Sequence, residues 1–274
     1  MSLVCMRELL AEAERKNCAI GAFNVSSIPM MMGYVRTAEE LKTPIILQIA
    51  EGRLKFSPLH IIGPAMLGAA KEAGVPIAVH LDHGTTEDCV KKALEIGFTS
   101  VMFDGSACTM EENIARTRHI IELARPYGAA VEAEIGKVGK NEDGTGSAEA
   151  RCADPEDAVR FFEETGVDAL AVAIGNKHGV YEGTPELHFD VLEKVRQKTL
   201  RPLVLHGGTG ISEEDFRHCI SLGMRKVNIA TAGFNAVHKA AQGVDNFFGM
   251  CGNMIDAAAE IAREHIRIFG TYTI

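Results

Sequence analysis

The chain has 274 residues, 46% hydrophobic and 24% charged, a composition that excludes disordered, collagen-like and coiled-coil architectures. Its formal net charge of −9 argues against nucleic acid as a main partner, because phosphate backbones demand clustered Lys and Arg, yet a local donor site can still hold a small phosphorylated ligand. The seven cysteines, an odd number without C-x-x-C spacing, indicate neither a disulfide framework nor a thiolate zinc site and fit a reduced, cytoplasmic compartment.

Residues 1–17 carry Arg7, Glu8, Glu12 and Glu14, too early and too acidic for a signal peptide. The uncharged stretch 18–35 is broken by Asn24, Ser26, Ser27 and Pro29, so no membrane span is expected. Short apolar runs then recur at 19–24, 44–50, 76–82, 99–104, 129–134, 168–174, 202–206 and 225–229. Continuous runs of this length suit parallel strands covered on both faces. Between them, 58–73, 86–96, 110–127, 154–165, 186–199 and 212–222 read as helices, and further helices within 243–270 close the chain. Several ends are punctuated: Thr85 or Thr86 before and Gly97 after one helix, Asp154-Pro155 and Gly166 around another, Ser212 and Gly223 around a third.

Alternating strands and helices imply a parallel sheet, and eight such units predict an α/β fold of the (β/α)8 TIM-barrel type. A doubly wound sheet is the alternative, but Gly-Ala-Phe-Asn at 21–24 is no dinucleotide-binding glycine loop. No Pro/Gly/Ser-rich linker divides the chain. A single barrel domain over 1–274 is therefore expected, with a helical extension from about residue 234. The most loop-like stretch is 136–151, with Gly136, Gly139, Gly144 and Gly146.

A barrel carries its site at the C-terminal ends of its strands. The residues there are Asn24, Asp82 with His83, Asp104, Glu134, His178, His206 and Asn228. Among ten histidines, His83, His178 and His206 sit beside the third, sixth and seventh strands, and three neutral imidazoles with an open position make a catalytic zinc site. Taken singly, each is an ordinary polar residue at a strand end. His80, one pleat below Asp82, is expected to hydrogen-bond behind the site. His60, His119, His188, His218, His238 and His265 are expected at the surface or at helix ends. Asp82 is placed as a general acid/base or, equally on spacing, as a cap for the next helix. Asp104 and Glu134 can bind a second cation, hold a histidine in one tautomer, or pair with Lys or Arg. Two glycine turns, His-Gly-Gly-Thr-Gly at 206–210 and Asn-Ile-Ala-Thr-Ala-Gly at 228–233, stand where barrels usually bind phosphate, although ordinary loop chemistry explains them too.

These residues resemble the class II, metal-dependent ketose-bisphosphate aldolases. The resemblance rests on Gly-Ala-Phe-Asn-Val at 21–25, His-Leu-Asp-His-Gly at 80–84, Ser-Val-Met-Phe-Asp-Gly-Ser at 100–106, Val-Glu-Ala-Glu-Ile-Gly at 131–136, Ala-Ile-Gly-Asn-Lys-His-Gly at 173–179, Leu-His-Gly-Gly-Thr-Gly at 205–210 and Lys-Val-Asn-Ile-Ala-Thr at 226–231. It implies a carbon–carbon lyase that splits a ketose (bis)phosphate, such as fructose 1,6-bisphosphate, into dihydroxyacetone phosphate and an aldehyde through a zinc-stabilised enediolate. It implies Zn2+ ligands His83, His178 and His206, with Glu134 and Asp104 as alternative or auxiliary metal positions. Asp82 then exchanges a proton with the C4 hydroxyl, and Glu142, in a mobile loop, serves proton transfer at the dihydroxyacetone phosphate carbon. Asn24, Gly179, Gly207, Thr209, Asn228 and Thr231 become the substrate contacts, some holding a monovalent cation (Na+ or K+) through carbonyls. A homodimer or homotetramer acting on a small phosphorylated sugar is implied, with no nucleic-acid or membrane partner.

Two departures bear on the substrate. The family's Asp-Pro-Arg segment, whose Arg reaches a far phosphate across a subunit interface, has Asp245-Asn-Phe247 as its nearest match, and Ala232 stands where Glu or Asp often follows Thr231. Arg53 and Lys55 are candidate replacements, or solvated surface charges. Tagatose bisphosphate and keto sugars lacking the distal phosphate therefore stand beside fructose 1,6-bisphosphate. Two other readings are a Schiff-base aldolase using Lys177 and a non-catalytic barrel that binds sugar phosphates.

Overall fold

The computed structural model of the protein describes residues 2–139, 150–181 and 183–271. Eight parallel strands, β1 (Ile20–Asn24), β2 (Ile45–Ala50), β3 (Ile77–Gly84), β4 (Ser100–Phe103), β5 (Ala130–Ile135), β6 (Ala169–Val172), β7 (Leu203–Leu205) and β8 (Met224–Ile229), pair in chain order, and β8 returns to β1 to close a barrel. Every residue of every strand is buried, which is why the runs are apolar throughout rather than alternating. β6 stops short of the apolar run that predicts it. The Ile174 amide leaves the ladder to donate to Asn176 Oδ1 at 2.8 Å.

Around the barrel lie α3 (Leu59–Glu72), α4 (Glu87–Ile96), α5 (Met110–Ala124), α6 (Pro155–Thr165), α7 (Phe189–Lys198), α8 (Glu213–Ser221), α9 (Thr231–Ala240) and α10 (Phe247–Phe269). Their starts follow the sequence signals. Thr86, Asp154 and Ser212 each accept a backbone N–H from the first turn that follows, satisfying donors the helix leaves open. His265 departs from expectation. It lies only 7% exposed inside α10, its Nδ1 2.8 Å from the Ile261 carbonyl and its ring edge-on to Phe269. No helix among the described residues is long and apolar enough to cross a membrane.

Two helices come from segments the strand–helix rhythm passes over, α1 (Met6–Lys16) and α2 (Ile28–Glu40). α2 packs along α10 so closely that a Cβ on Gly33 would stand 2.4 Å from the Ile255 carbonyl oxygen. α1 closes the N-terminal end of the barrel. Its buried Met6, Leu9, Leu10 and Ala13 recur at helical spacing and pack on the inward-facing Ile20, Ala22, Ile46, Ala78, Ala130, Ala169, Ala171 and Val204. The small alanines leave room at that end for the α1 side chains. Leu10 is 1% exposed, so Leu10→Ala is expected to cost about 2–5 kcal/mol of unfolding free energy in urea titrations. A cost below about 1 kcal/mol would mean that α1 is not a closing element of the core.

Candidate active site

Residues at the C-terminal ends of the strands converge on one polar mouth. Its geometry begins with a break in β3. Leu81 pairs with Val101 and Gly84 with Phe103, so β3 carries one residue more than β4 over this step. Such a bulge re-aims side chains that strict alternation would send to opposite faces. His83 takes φ +43°, a left-handed conformation costing a bulky residue about 1–3 kcal/mol. The consecutive Asp82 and His83 thereby both serve the mouth.

Asp82 is 1% exposed. Its Oδ2 accepts from Asn24 Nδ2 at 3.0 Å and Gln48 Nε2 at 3.2 Å, and its Oδ1 from Asn228 Nδ2 at 3.0 Å. It does not cap the following helix, since Thr86 does that. Burial opposes its charge, but the positive surroundings of His83, Lys226 and His206 outweigh burial and hold the carboxyl well below the usual carboxylate range.

His83, His178 and His206 each offer a ligand atom, all within 4.8 Å of one another, and the set His83, Asp104 and Glu134 meets the same limit. The His83 ring centroid lies 4.9 Å from that of His178 and 4.5 Å from that of His206. Asp104 Oδ2 lies 2.8 Å from His83 Nδ1, which leaves the opposite ring nitrogen, Nε2, to face the cluster. Ser106 donates from N and Oγ to Asp104 Oδ1 at 3.1 and 2.6 Å, fixing that carboxylate in turn. His206 Nε2 lies 2.9 Å from Glu132 Oε1, and His206 Nδ1 lies 3.2 Å from Glu134 Oε2. His206 Nδ1 and Glu134 Oε2 are buried and make no hydrogen bond among the described residues. Imidazole nitrogens and carboxylate oxygens brought together in this way are a donor set suited to Zn2+.

The turn after β7 reaches the His178 loop. Gly207 has φ +64°, and a Cβ there would stand 2.2 Å from the Lys177 carbonyl oxygen. Tyr181 ties the two together, accepting from Lys177 N at 2.9 Å and donating to the Gly207 carbonyl at 3.0 Å. Asn176 Nδ2 adds a bond to the His206 carbonyl at 2.9 Å. His178, Gly179, Gly207, Gly208, Thr209, Asn228, Ala230 and Thr231 line a single pocket at the N-terminus of α9, where Thr209 Oγ1 accepts from Ala232 N at 3.0 Å. Glu142 lies outside the described residues.

Lys177 is exposed to solvent. Arg53 is half-buried with its guanidinium 5.0 Å over the Phe234 ring, whereas Lys55 is exposed with its ammonium 5.1 Å over Phe56. Phe247 is 66% exposed at the start of α10. Sequence reasoning did not assign a role to Gln48, Glu132, Asn176 or Lys226. Each is a fully buried polar residue, and the signal for the three on strands was a polar side chain inside an otherwise apolar run.

Fold and site together define a (β/α)8 barrel with three imidazoles that could hold a cation and a buried carboxylate at the C-terminal ends of its strands. The chain belongs to the class-II fructose-bisphosphate aldolase family, whose profile matches residues 4–273. It is similar to the fructose-bisphosphate aldolase of Geobacillus stearothermophilus, 41% identical over 245 residues that cover 88% of this chain and 85% of the relative. It is also similar to that of Staphylococcus aureus (strain N315), 38% identical over 249 residues covering 90% and 87%. The crystal structure of the YdjI aldolase from Escherichia coli K12 superposes with a TM-score of 0.89 at 35% identity, covering 98% of each chain. The chain is accordingly an aldolase, a carbon–carbon lyase, in a family that is generally zinc-dependent.

Proposed function

We propose that the protein cleaves a ketose phosphate into dihydroxyacetone phosphate and an aldehyde, with Zn2+ held by His83, His178 and His206. The observation that carries this reading is the meeting of three imidazoles, from β3, the loop after β6 and the end of β7, beside a buried carboxylate gripped by three amides. Zinc bound there supplies Lewis acidity that offsets the negative charge growing on the ketose oxygens as the C3–C4 bond breaks. Asp82 takes the C4 hydroxyl proton. An ionised carboxylate has about four acceptor positions, and Asn24, Gln48 and Asn228 fill three, which leaves one for a substrate hydroxyl and fixes its direction. The pocket at Gly207, Thr209 and Thr231 receives the proximal phosphate against backbone N–H groups and the positive end of α9. Glu142 serves the proton at the dihydroxyacetone phosphate carbon. Glu134 and Asp104 form, with His83, an alternative position for the ion.

Fructose 1,6-bisphosphate is the default substrate, with tagatose bisphosphate beside it. Phe247 favours a second reading, a keto sugar without a distal phosphate, because an aromatic ring cannot give the charge-assisted bonds that an Arg gives a phosphate. The test is release of dihydroxyacetone phosphate from fructose 1-phosphate and from fructose 1,6-bisphosphate by the zinc-loaded protein. The kcat/KM values are expected to lie within about tenfold of each other, or about 1.4 kcal/mol. A preference of about a hundredfold or more for the bisphosphate, about 2.7 kcal/mol, would show that another cation such as Arg53 reads the distal phosphate. Cleavage of no ketose phosphate, with tight binding of one, would replace the enzyme reading with a binding protein.

A further inference from the structure

Beneath the three imidazoles the barrel interior holds a second polar layer that the proposed reaction leaves without a task. Glu132 on β5, Lys226 on β8 and His80 on β3 are all 0% exposed. Lys226 Nζ lies 3.2 Å from Glu132 Oε1 and 3.0 Å from Oε2. His80 Nε2 stands 3.7 Å from Glu132 Oε2, and its Nδ1 is 2.9 Å from Ser100 Oγ. The inward positions one step lower on β3 and β5, Ala78 and Ala130, are apolar. A buried ion pair is a weak source of stability, since apolar residues of similar volume commonly serve a core as well or better. The pair therefore calls for a role beyond packing, and Glu132 reaches the mouth through a hydrogen bond to His206.

Glu132 Oε1 lies 2.9 Å from His206 Nε2. Both ring nitrogens face a carboxylate, but only Nε2 makes a hydrogen bond, to Glu132, so the proton of the neutral ring sits on Nε2 and the lone pair on Nδ1. Nδ1 is the nitrogen that faces Glu134 Oε2, at 3.2 Å, on the cation-site side. The same device acts on His83 from the opposite nitrogen, where Asp104 engages Nδ1 and turns Nε2 to the site. We infer that Glu132 is a positioning residue that fixes the tautomer and tilt of His206 so that Nδ1 is its zinc-binding atom, and that Lys226 is the counter-ion that lets a carboxylate stand there. Lys226 also balances a mouth already holding Asp82, Asp104 and Glu134. Carboxylates behind metal-binding histidines set ligand orientation and basicity in this way. The inference rests on the reading of His83, His178 and His206 as the zinc site.

Two double variants test it, because a single change would strand a buried charge. Glu132→Leu/Lys226→Met removes both charges and the acceptor. Glu132→Gln/Lys226→Met removes the charges and keeps an acceptor oxygen for Nε2–H. Zinc affinity is read by competition with a chromophoric chelator, and folding by circular dichroism and melting. The Leu/Met variant is expected to bind zinc about 10–100-fold more weakly than wild type, with most of the loss recovered in the Gln/Met variant. A folded Leu/Met variant with zinc affinity within about twofold of wild type overturns the inference, whatever its melting temperature. If that variant fails to fold, 15N–1H spectra of the zinc-loaded wild type decide. A proton on His206 Nε2 with Nδ1 on the metal supports the inference, and the reverse overturns it. Wild type that binds no zinc would remove the site reading and the inference together, whereas normal wild-type binding with an unaffected Leu/Met variant would remove the inference alone.

Discussion

Asp82→Ala is expected to lower kcat/KM for ketose phosphate cleavage by roughly 10²–10⁴-fold while zinc stays bound, the usual worth of a positioned general acid/base. The separation of the two effects follows from the geometry. Asp82 belongs to neither group of potential ion ligands, although it is the neighbour of His83 on the β3 bulge. Its oxygens are occupied by Asn24, Gln48 and Asn228, so its removal leaves those amides, and not the ion, without an acceptor. Each unsatisfied buried donor costs about 1–3 kcal/mol, so the variant should also melt earlier. Asp82→Asn reduces this by keeping the shape of the side chain and one acceptor oxygen. The measurements are steady-state cleavage and metal content of the same preparation. An Asp82→Ala protein that loses zinc, or that keeps cleavage within about threefold of wild type, would take the proton-transfer role from this residue.

His206→Ala is expected to reverse the pattern, losing zinc and, with it, cleavage. Three imidazoles are a minimal catalytic zinc set, and removing one leaves two ligands and an opened core. The ring is 1% exposed and hydrogen-bonded to Glu132, so the substitution also removes a buried hydrogen bond, at about 1–3 kcal/mol. Equilibrium dialysis against zinc, with circular dichroism to establish that the chain is folded, checks the expectation. A folded His206→Ala protein holding one zinc at wild-type affinity would move the metal site elsewhere.

The barrel was legible because its strands are covered on both faces and so appear as apolar runs, most of them ending at or next to a polar residue. Helix starts were legible where Thr86, Asp154 and Ser212 cap them. α1 was harder to recognise because it precedes the first apolar run and is rich in charge, although Met6, Leu9, Leu10 and Ala13 already form its stripe. The pairing of Asp82 with His83 was not predictable from alternation, which sends neighbours to opposite faces; only the register shift against β4 brings both to the mouth. Glu132 and Lys226 lie 94 positions apart, and nothing local to either reveals that a buried charge has its counter-ion across the barrel. Gln48 was passed over for the same reason, since its role exists only once β2 stands beside Asp82 and Asn24.

Dependence of cleavage on an ion at His83, His178 and His206 is read by assaying one preparation before and after chelation. The protein is stripped with EDTA, its metal content is verified by mass spectrometry, and dihydroxyacetone phosphate release is followed before and after zinc is returned. The stripped protein is expected to show no measurable cleavage and to recover at one zinc per chain. Undiminished cleavage by verified metal-free protein would contradict that dependence.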